Sequence, residues 1–365
     1  MAKADPHPES IPILRSQLLE WYARNRRDLP WRRTRDPYAI WVSEIMLQQT
    51  RVAAVIERYE AFLQRFPSLM ALALAPEEEV LVLWSGLGYY RRARMLHKAA
   101  KFVAQNLSGS MPGTAEELRA LPGIGAYTAA AIASIAYGEP VAVVDGNVER
   151  VLCRLRGWDV HDGAGATALR RKIESFAGEL LDPAAPGDFN QALMELGATV
   201  CLPRGPQCLV CPFAIGCKTR GEHKTPQRPR MLSKEVAFAL VVRTGRHPSP
   251  IHREVLLEQR SDEQTVMPGM WELPALREPA VPHGELRMTV RHAIMQVNYY
   301  VRIRTVFEGD VETLTVPAGE RKWVPLVKAA EMPLTGLARK VLHRAHLLPA
   351  APLDVIAPLS GSDVR

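Results

Sequence analysis

No stretch of this 365-residue chain approaches the ~20 uninterrupted apolar residues that a membrane helix needs. The first ten residues, MAKADPHPES, also lack the basic, then apolar, then small order of a secretory signal. The expectation is a soluble, cytoplasmic protein without a membrane partner. Cysteine is scarce: there are five, and four of them crowd between Cys201 and Cys217. In a reducing compartment that crowding argues against a disulfide framework and for a metal site. Cys153 stands apart and reads as a buried core thiol. There is no internal repeat.

What is present organises itself around Leu121 to Val151, LPGIGAYTAAAIASIAYGEPVAVVDGNVERV. Gly123 and Gly125 form a tight turn that lets another chain approach the backbone. An alanine-rich helix follows and is expected to end near Tyr137–Gly138. The turn leaves unpaired N–H groups at a helix start, where an anion such as a nucleic-acid phosphate is favoured. After the β-branched run Val141–Val144, Asp145 stands where a new amphipathic helix needs an N-cap. A net charge of +7 makes a polyanionic partner plausible.

Upstream, a first helix is expected from about Ile13 to Arg24. Asp36-Pro37 is a good start for a second. Winding that helix at 100° per residue puts Glu44 on an apolar arc with Ile40, Trp41 and Leu47. Desolvation there raises a carboxyl pKa, as a general acid near neutral pH requires; a salt bridge to a nearby arginine is the plainer alternative. A short helix is expected from Pro76 to Leu83. Gly86 and Gly88 then display Tyr89 and Tyr90 ahead of a helix bearing Arg91, Arg92, Arg94, Lys98 and Lys101, a combination suited to base stacking and phosphate contact. The cysteines Cys201, Cys208, Cys211 and Cys217 follow a C-x6-C-x2-C-x5-C pattern able to hold tetrahedral zinc or an iron–sulfur cluster. Arg204, between the first two, can reach a phosphate or simply face solvent.

These motifs resemble the helix-hairpin-helix base-excision glycosylases, and across residues 11–220 the adenine DNA glycosylases of the MutY type. The single-knuckle cysteine pattern resembles the [4Fe-4S] loop of the endonuclease III type. The resemblance implies a monofunctional enzyme that flips adenine out of A:8-oxoguanine and A:G mispairs in double-stranded DNA and hydrolyses it away. It would act as a monomer, nucleoid-associated if prokaryotic. Glu44 would protonate the leaving base and Asp145 stabilise the cationic sugar, electrostatically or through a transient covalent adduct, while Tyr127 and Asn147 orient groups around that sugar. Arg32 would contact the flipped base, Gln49 or Tyr89 would fill the gap, and Thr50 would touch the opposing lesion. Gly123 and Gly125 would grip the phosphate. Tyr127 occupies the position of the endonuclease III lysine nucleophile, so Schiff-base chemistry lacks its amine. An endonuclease III-like enzyme for oxidised pyrimidines, and a catalytically silent iron–sulfur DNA-binding module, are the alternatives.

The expected architecture is therefore multi-domain. A disordered start, 1–10, precedes an all-α helix-hairpin-helix glycosylase domain, 11–220, with its iron–sulfur loop at 201–217. A linker, 221–234, leads to an α+β Nudix-like domain, 235–347, and a disordered tail, 348–365. The strand-like runs EVAFALVVR, EVLLEQR, MWELPAL, LRMTVRHAIMQVNYYVRIRTVFEG and KWVPLVKA, with a helix from about Gly336 to His346, build that domain. Its WELPALREPAVPHG lacks the metal-binding carboxylate cluster of Nudix hydrolases, so pyrophosphohydrolysis is not expected. In VRHAIMQVNYYV, Ile294, Met295 and Gln296 align with the family's lesion-reading Phe-Ser-His loop, which implies a narrower margin for 8-oxoguanine over guanine.

Overall fold

The structure is a computed structural model that describes residues 11–158, 166–222, 231–244, 253–264, 266–276, 285–294, 296–315, 317 and 319–348. The expected disordered start 1–10, most of the linker, Met295 and all of the expected tail 348–365 except Leu348 lie outside those residues; Leu348 is buried in the core of the second unit. The chain divides into two compact units. One takes the chain up to Ala75 and again from Arg91 through the cysteine loop; the other takes Pro76–Tyr90 and the strands. The helical unit is thus not the uninterrupted 11–220 segment expected. Among the described residues, no helix is long and apolar enough to cross a membrane.

The helical unit begins with α1 (Ile11–Asn25) and α2 (Pro37–Leu47). Asp36 caps α2 by accepting from the N–H groups of Tyr38 and Ala39, with Pro37 at the first helical position. Every residue from Tyr38 to Met46 is buried, so α2 is a core helix enclosed on all sides rather than a surface helix with one apolar arc. Next come α3 (Val52–Arg65) and α4 (Leu69–Leu74). The other unit contributes α5 (Glu77–Leu83), and the chain then returns in α6 (Arg91–Asn106). Of the paired tyrosines, Tyr89 is 49 % exposed and Tyr90 is buried, its hydroxyl donating to the Leu334 carbonyl at 3.3 Å.

After α7 (Ala115–Arg119), the hairpin turn leads into α8 (Ala126–Ile132). Gly123 has φ +77°, and a Cβ there would lie 2.8 Å from the Met95 Cβ, so no other residue fits. The helix runs on as a π-turn, Ala133–Tyr137, and stops at left-handed Gly138 as expected. The run Val141–Val144 forms no strand, despite its β-branched residues, because a side chain takes its backbone groups. Buried Asn190 accepts from the Val143 N–H at 3.0 Å, and donates to the Val141 carbonyl and to Ser134 Oγ, both at 2.9 Å. This brace fixes the approach to Asp145, which caps α9 (Gly146–Arg156).

The helices α10 (Ala166–Leu180) and α11 (Pro186–Thr199) complete the unit. Leu18, Val148, Leu152, Phe176, Phe189 and Leu196 form a core among α1, α9, α10 and α11. Burying each such side chain stabilises by about 1.5–3 kcal/mol. Cys153 lies within that core, as expected. Gly197 lets α11 rest against α9, since a Cβ there would meet the Asn147 Cβ at 2.7 Å.

The second unit is α+β. One sheet orders β5 (Ala275–Leu276), β1 (Leu232–Leu240), β7 (Val297–Thr305) and β6 (Glu285–Ile294). In the other, β3 (Arg253–Gln259) pairs with β2 (Val242–Thr244), β4 (Trp271–Glu272) and β8 (Arg321–Pro325). The helices α12 (Leu326–Ala329) and α13 (Gly336–Arg344) follow. The strand β1 begins at Leu232, inside the segment expected to be linker, because Leu232 already pairs with Val297. Ile294 pairs with Val297 at the end of the β6–β7 ladder. Buried Glu272 accepts from the Thr335 hydroxyl at 2.6 Å and the Leu273 N–H at 3.0 Å, and its burial pushes the carboxyl up to about 7.

Candidate active site

A cleft of about 780 Å³ opens within the helical unit, and Glu44, Asp145, Tyr127, Asn147, Arg32, Gln49, Thr50, Gly123 and Gly125 all border it. Residues separated by up to 115 positions in the chain, Arg32 and Asn147, thus converge on one space. Glu44 comes from the middle of α2, Tyr127 from the first turn of α8, and Asp145 and Asn147 from the start of α9. Tyr89 belongs to the other unit.

Glu44 is 6 % exposed, and its Oε2 accepts from the Tyr127 hydroxyl at 2.8 Å. Burial pushes its carboxyl up to about 7; the Tyr127 hydrogen bond and Arg32 pull it down, while the Asp145 charge pushes it further up. Asp145 sits differently. Its Oδ1 accepts from the N–H groups of Asn147 (2.9 Å) and Val148 (2.7 Å), and its Oδ2 from the Asn147 amide at 3.1 Å. It is therefore both a cap and a cleft residue, and neither reading excludes the other.

The arginine partner considered for Glu44 goes elsewhere. Glu195 on α11, with no exposed side-chain surface, accepts from Arg27 at 2.7 Å and from Arg32 at 2.8 Å. Burial alone would raise its carboxyl, but the hydrogen bonds of Arg27 and Arg32 prevail and hold it at about 2. Two buried carboxyl groups in one cleft thus hold opposite tendencies toward a proton near pH 7. The sequence reading missed Glu195. Its signal was the stripe Gln191, Met194, Glu195 and Ala198, at helical spacing on α11, which borders the cleft.

Arg150, also missed, joins the cleft to the cysteine loop. Its guanidinium donates to Asn147 Oδ1 at 2.9 Å, to the Gly197 carbonyl at 2.7 Å and to the Cys201 carbonyl at 2.8 Å. In that loop Cys201, Cys208, Cys211 and Cys217 border one small cavity. Buried Arg154 donates to Cys201 Sγ at 3.3 Å. A set of four soft sulfur donors beside a cation fits an iron–sulfur group. Among the described residues, no three His, Cys, Asp or Glu side chains are arranged to share a single metal ion. Arg204 is exposed.

Residues 42–176 match the family described as the HhH-GPD superfamily base excision DNA repair protein. An adenine DNA glycosylase of Homo sapiens is 51 % identical over 219 residues, covering 58 % of this chain and 40 % of that protein. One of Mycolicibacterium smegmatis is 46 % identical over 199 residues, covering 54 % of this chain and 67 % of that protein. A solved thermostable thymine-DNA glycosylase superposes with a TM-score of 0.54 at 30 % identity, covering 59 % of this chain and 99 % of its own. The chain spans 40 % of the length of the human relative. With these likenesses and the convergence of Glu44, Tyr127 and Asp145 in one cleft, the chain belongs to the adenine DNA glycosylase family, within the HhH-GPD superfamily.

Proposed function

We propose that this protein is a monofunctional DNA glycosylase that removes adenine mispaired with 8-oxoguanine or guanine in double-stranded DNA, acting as a monomer. The observation that carries the reading is the pair of unlike carboxyl groups in one cleft: Glu44 buried, Asp145 at a hydrogen-bonded helix start. Adenine inside a duplex is out of reach and must be extruded. A neutral Glu44 carboxyl gives its proton to a ring nitrogen of the extruded base. The C–N glycosidic bond then breaks with its electron pair leaving on adenine. The cationic sugar is stabilised by the Asp145 carboxylate until water adds and loses a proton. Asn147 and Tyr127 keep the two acids in place through the hydrogen bonds described above. Arg32 and Glu195 border the space for the base.

Tyr127 offers no amine, so the product is an intact strand with an abasic site. In a single-turnover assay on A-containing mispairs, cleavage is expected only after alkali. A high yield of borohydride-trapped adduct, lost in Tyr127→Phe, contradicts the reading. The resemblance further supports a Nudix-like second unit that reads the opposing base near Ile294 and Gln296.

The cysteine loop supports a [4Fe–4S] cluster held by Cys201, Cys208, Cys211 and Cys217, a group that supplies structure and redox capacity when bound. Purified protein is expected to contain iron and acid-labile sulfide on these four residues, unchanged in Cys153→Ser. Stoichiometric zinc without iron in an anaerobic preparation counts against it.

A further inference from the structure

Arg92 stands in a run of basic residues whose composition points to phosphate contact, yet its side chain turns inward. Its Nη1 donates to the carbonyls of Ile45 (2.7 Å), Met46 (3.0 Å) and Gln48, and its Nη2 donates to Thr50 Oγ1 at 3.0 Å. These carbonyls lie at the end of α2, where the last turn has no intrahelical donors and a cation suits the dipole. A helix commonly ends in a left-handed glycine. Here there is none: Gln48 is the C-cap, and Gln49 takes φ +56°. A non-glycine side chain held in that region is strained and persists only where its surroundings impose it. The hydrogen bonds of Arg92 to residues on both sides of Gln49 supply that constraint. Gln49 itself is exposed and borders the cleft that holds Glu44.

We propose that Arg92 is a positioning residue that locks the turn Gln48–Thr50, so that Gln49 projects into the space vacated by the extruded base. This rests on the base-extrusion reading above. It separates Arg92 from its neighbours: a phosphate contact serves affinity, whereas this clamp serves extrusion.

The test uses the full chain as parent, Arg92→Met, Arg92→Lys, Gln49→Gly and the double variant Arg92→Met/Gln49→Gly. Three quantities are measured: the salt dependence of binding to a duplex with a stable abasic analogue, the fluorescence of 2-aminopurine at the position of the target adenine, and single-turnover excision. Arg92→Met is expected to lose the fluorescence rise of extrusion and to excise roughly ten- to hundredfold more slowly, as for a misplaced positioning group. Its salt slope should match the parent. Arg92→Lys, with fewer donors but the same charge, should fall between. Gln49→Gly should show a similar loss, and adding Arg92→Met to it should change little, because the two act as one unit. A salt slope lower by about one in Arg92→Met, with extrusion intact, overturns the proposal in favour of a phosphate contact. Additive losses in the double variant overturn it as well. If Arg92→Met does not fold, Arg92→Lys with Gln49→Gly gives the same comparison. A parent that neither extrudes nor excises adenine refutes the proposed function instead, and the salt slope, read from binding alone, still decides between clamp and phosphate contact.

Discussion

Glu44→Gln is expected to lower single-turnover adenine excision by at least ~10²–10⁴-fold, the range of general acid catalysis, while leaving DNA affinity near that of the parent. The same substitution should stabilise the fold. The Glu44 carboxyl is held at about 7 in the folded protein, against an ordinary value of 4.5. Folding therefore favours its protonated form, and the parent loses stability as pH rises from about 4.5 through 7. Glutamine carries no such cost. The gap in stability between variant and parent should open over that window and level off above it, at up to roughly 3 kcal/mol. The activity of the parent should fall on the alkaline side of about 7, where the proton to be donated is gone. Thermal unfolding and excision measured across pH check both halves. Glu272→Gln is the control: its carboxyl is raised to about 7 by the same burial, so it should show the stability effect and excise normally. Excision by Glu44→Gln within tenfold of the parent, by the measure of general acid catalysis, would sink the assignment.

Asp145→Asn should separate the two roles of that residue. Asparagine caps a helix about as well as aspartate, and its carbonyl oxygen can accept from the N–H groups of Asn147 and Val148. Stability should therefore change by less than about 1 kcal/mol. The negative charge beneath a developing sugar cation is lost, and excision should fall by about 10²–10³-fold, as when a preorganised electrostatic group is removed. Unaltered excision would leave Asp145 as a cap and nothing more.

Local signals were legible in the sequence. Asp36 and Asp145 cap the helices they were assigned, and the left-handed Gly138 ends the alanine-rich segment, because capping depends on a few adjacent residues. The strand runs of the second unit were legible from their alternation. Glu195 was not, since its partner Arg27 is 168 residues away and no local period couples them. Arg92 was misjudged for a related reason: charge on a helix says nothing about which side of it meets a neighbouring carbonyl. For the β-branched run Val141–Val144, only the fold reveals that Asn190 takes up its backbone groups. Cap and period reach a few residues, whereas the cleft is assembled by helix packing.

The placement of Pro76–Tyr90 with the second unit has a consequence for how the chain is made. On the ribosome, the residues on both sides of this segment belong to a body whose last helix, α11, ends at Thr199. The segment itself waits far longer, since the carbonyl that receives the Tyr90 hydroxyl is 244 residues downstream. Domains generally fold as units, N-terminal first. Here the helical unit is interrupted in sequence by a segment whose own partners have not yet been synthesised. The order of synthesis and the order of assembly therefore differ at this segment.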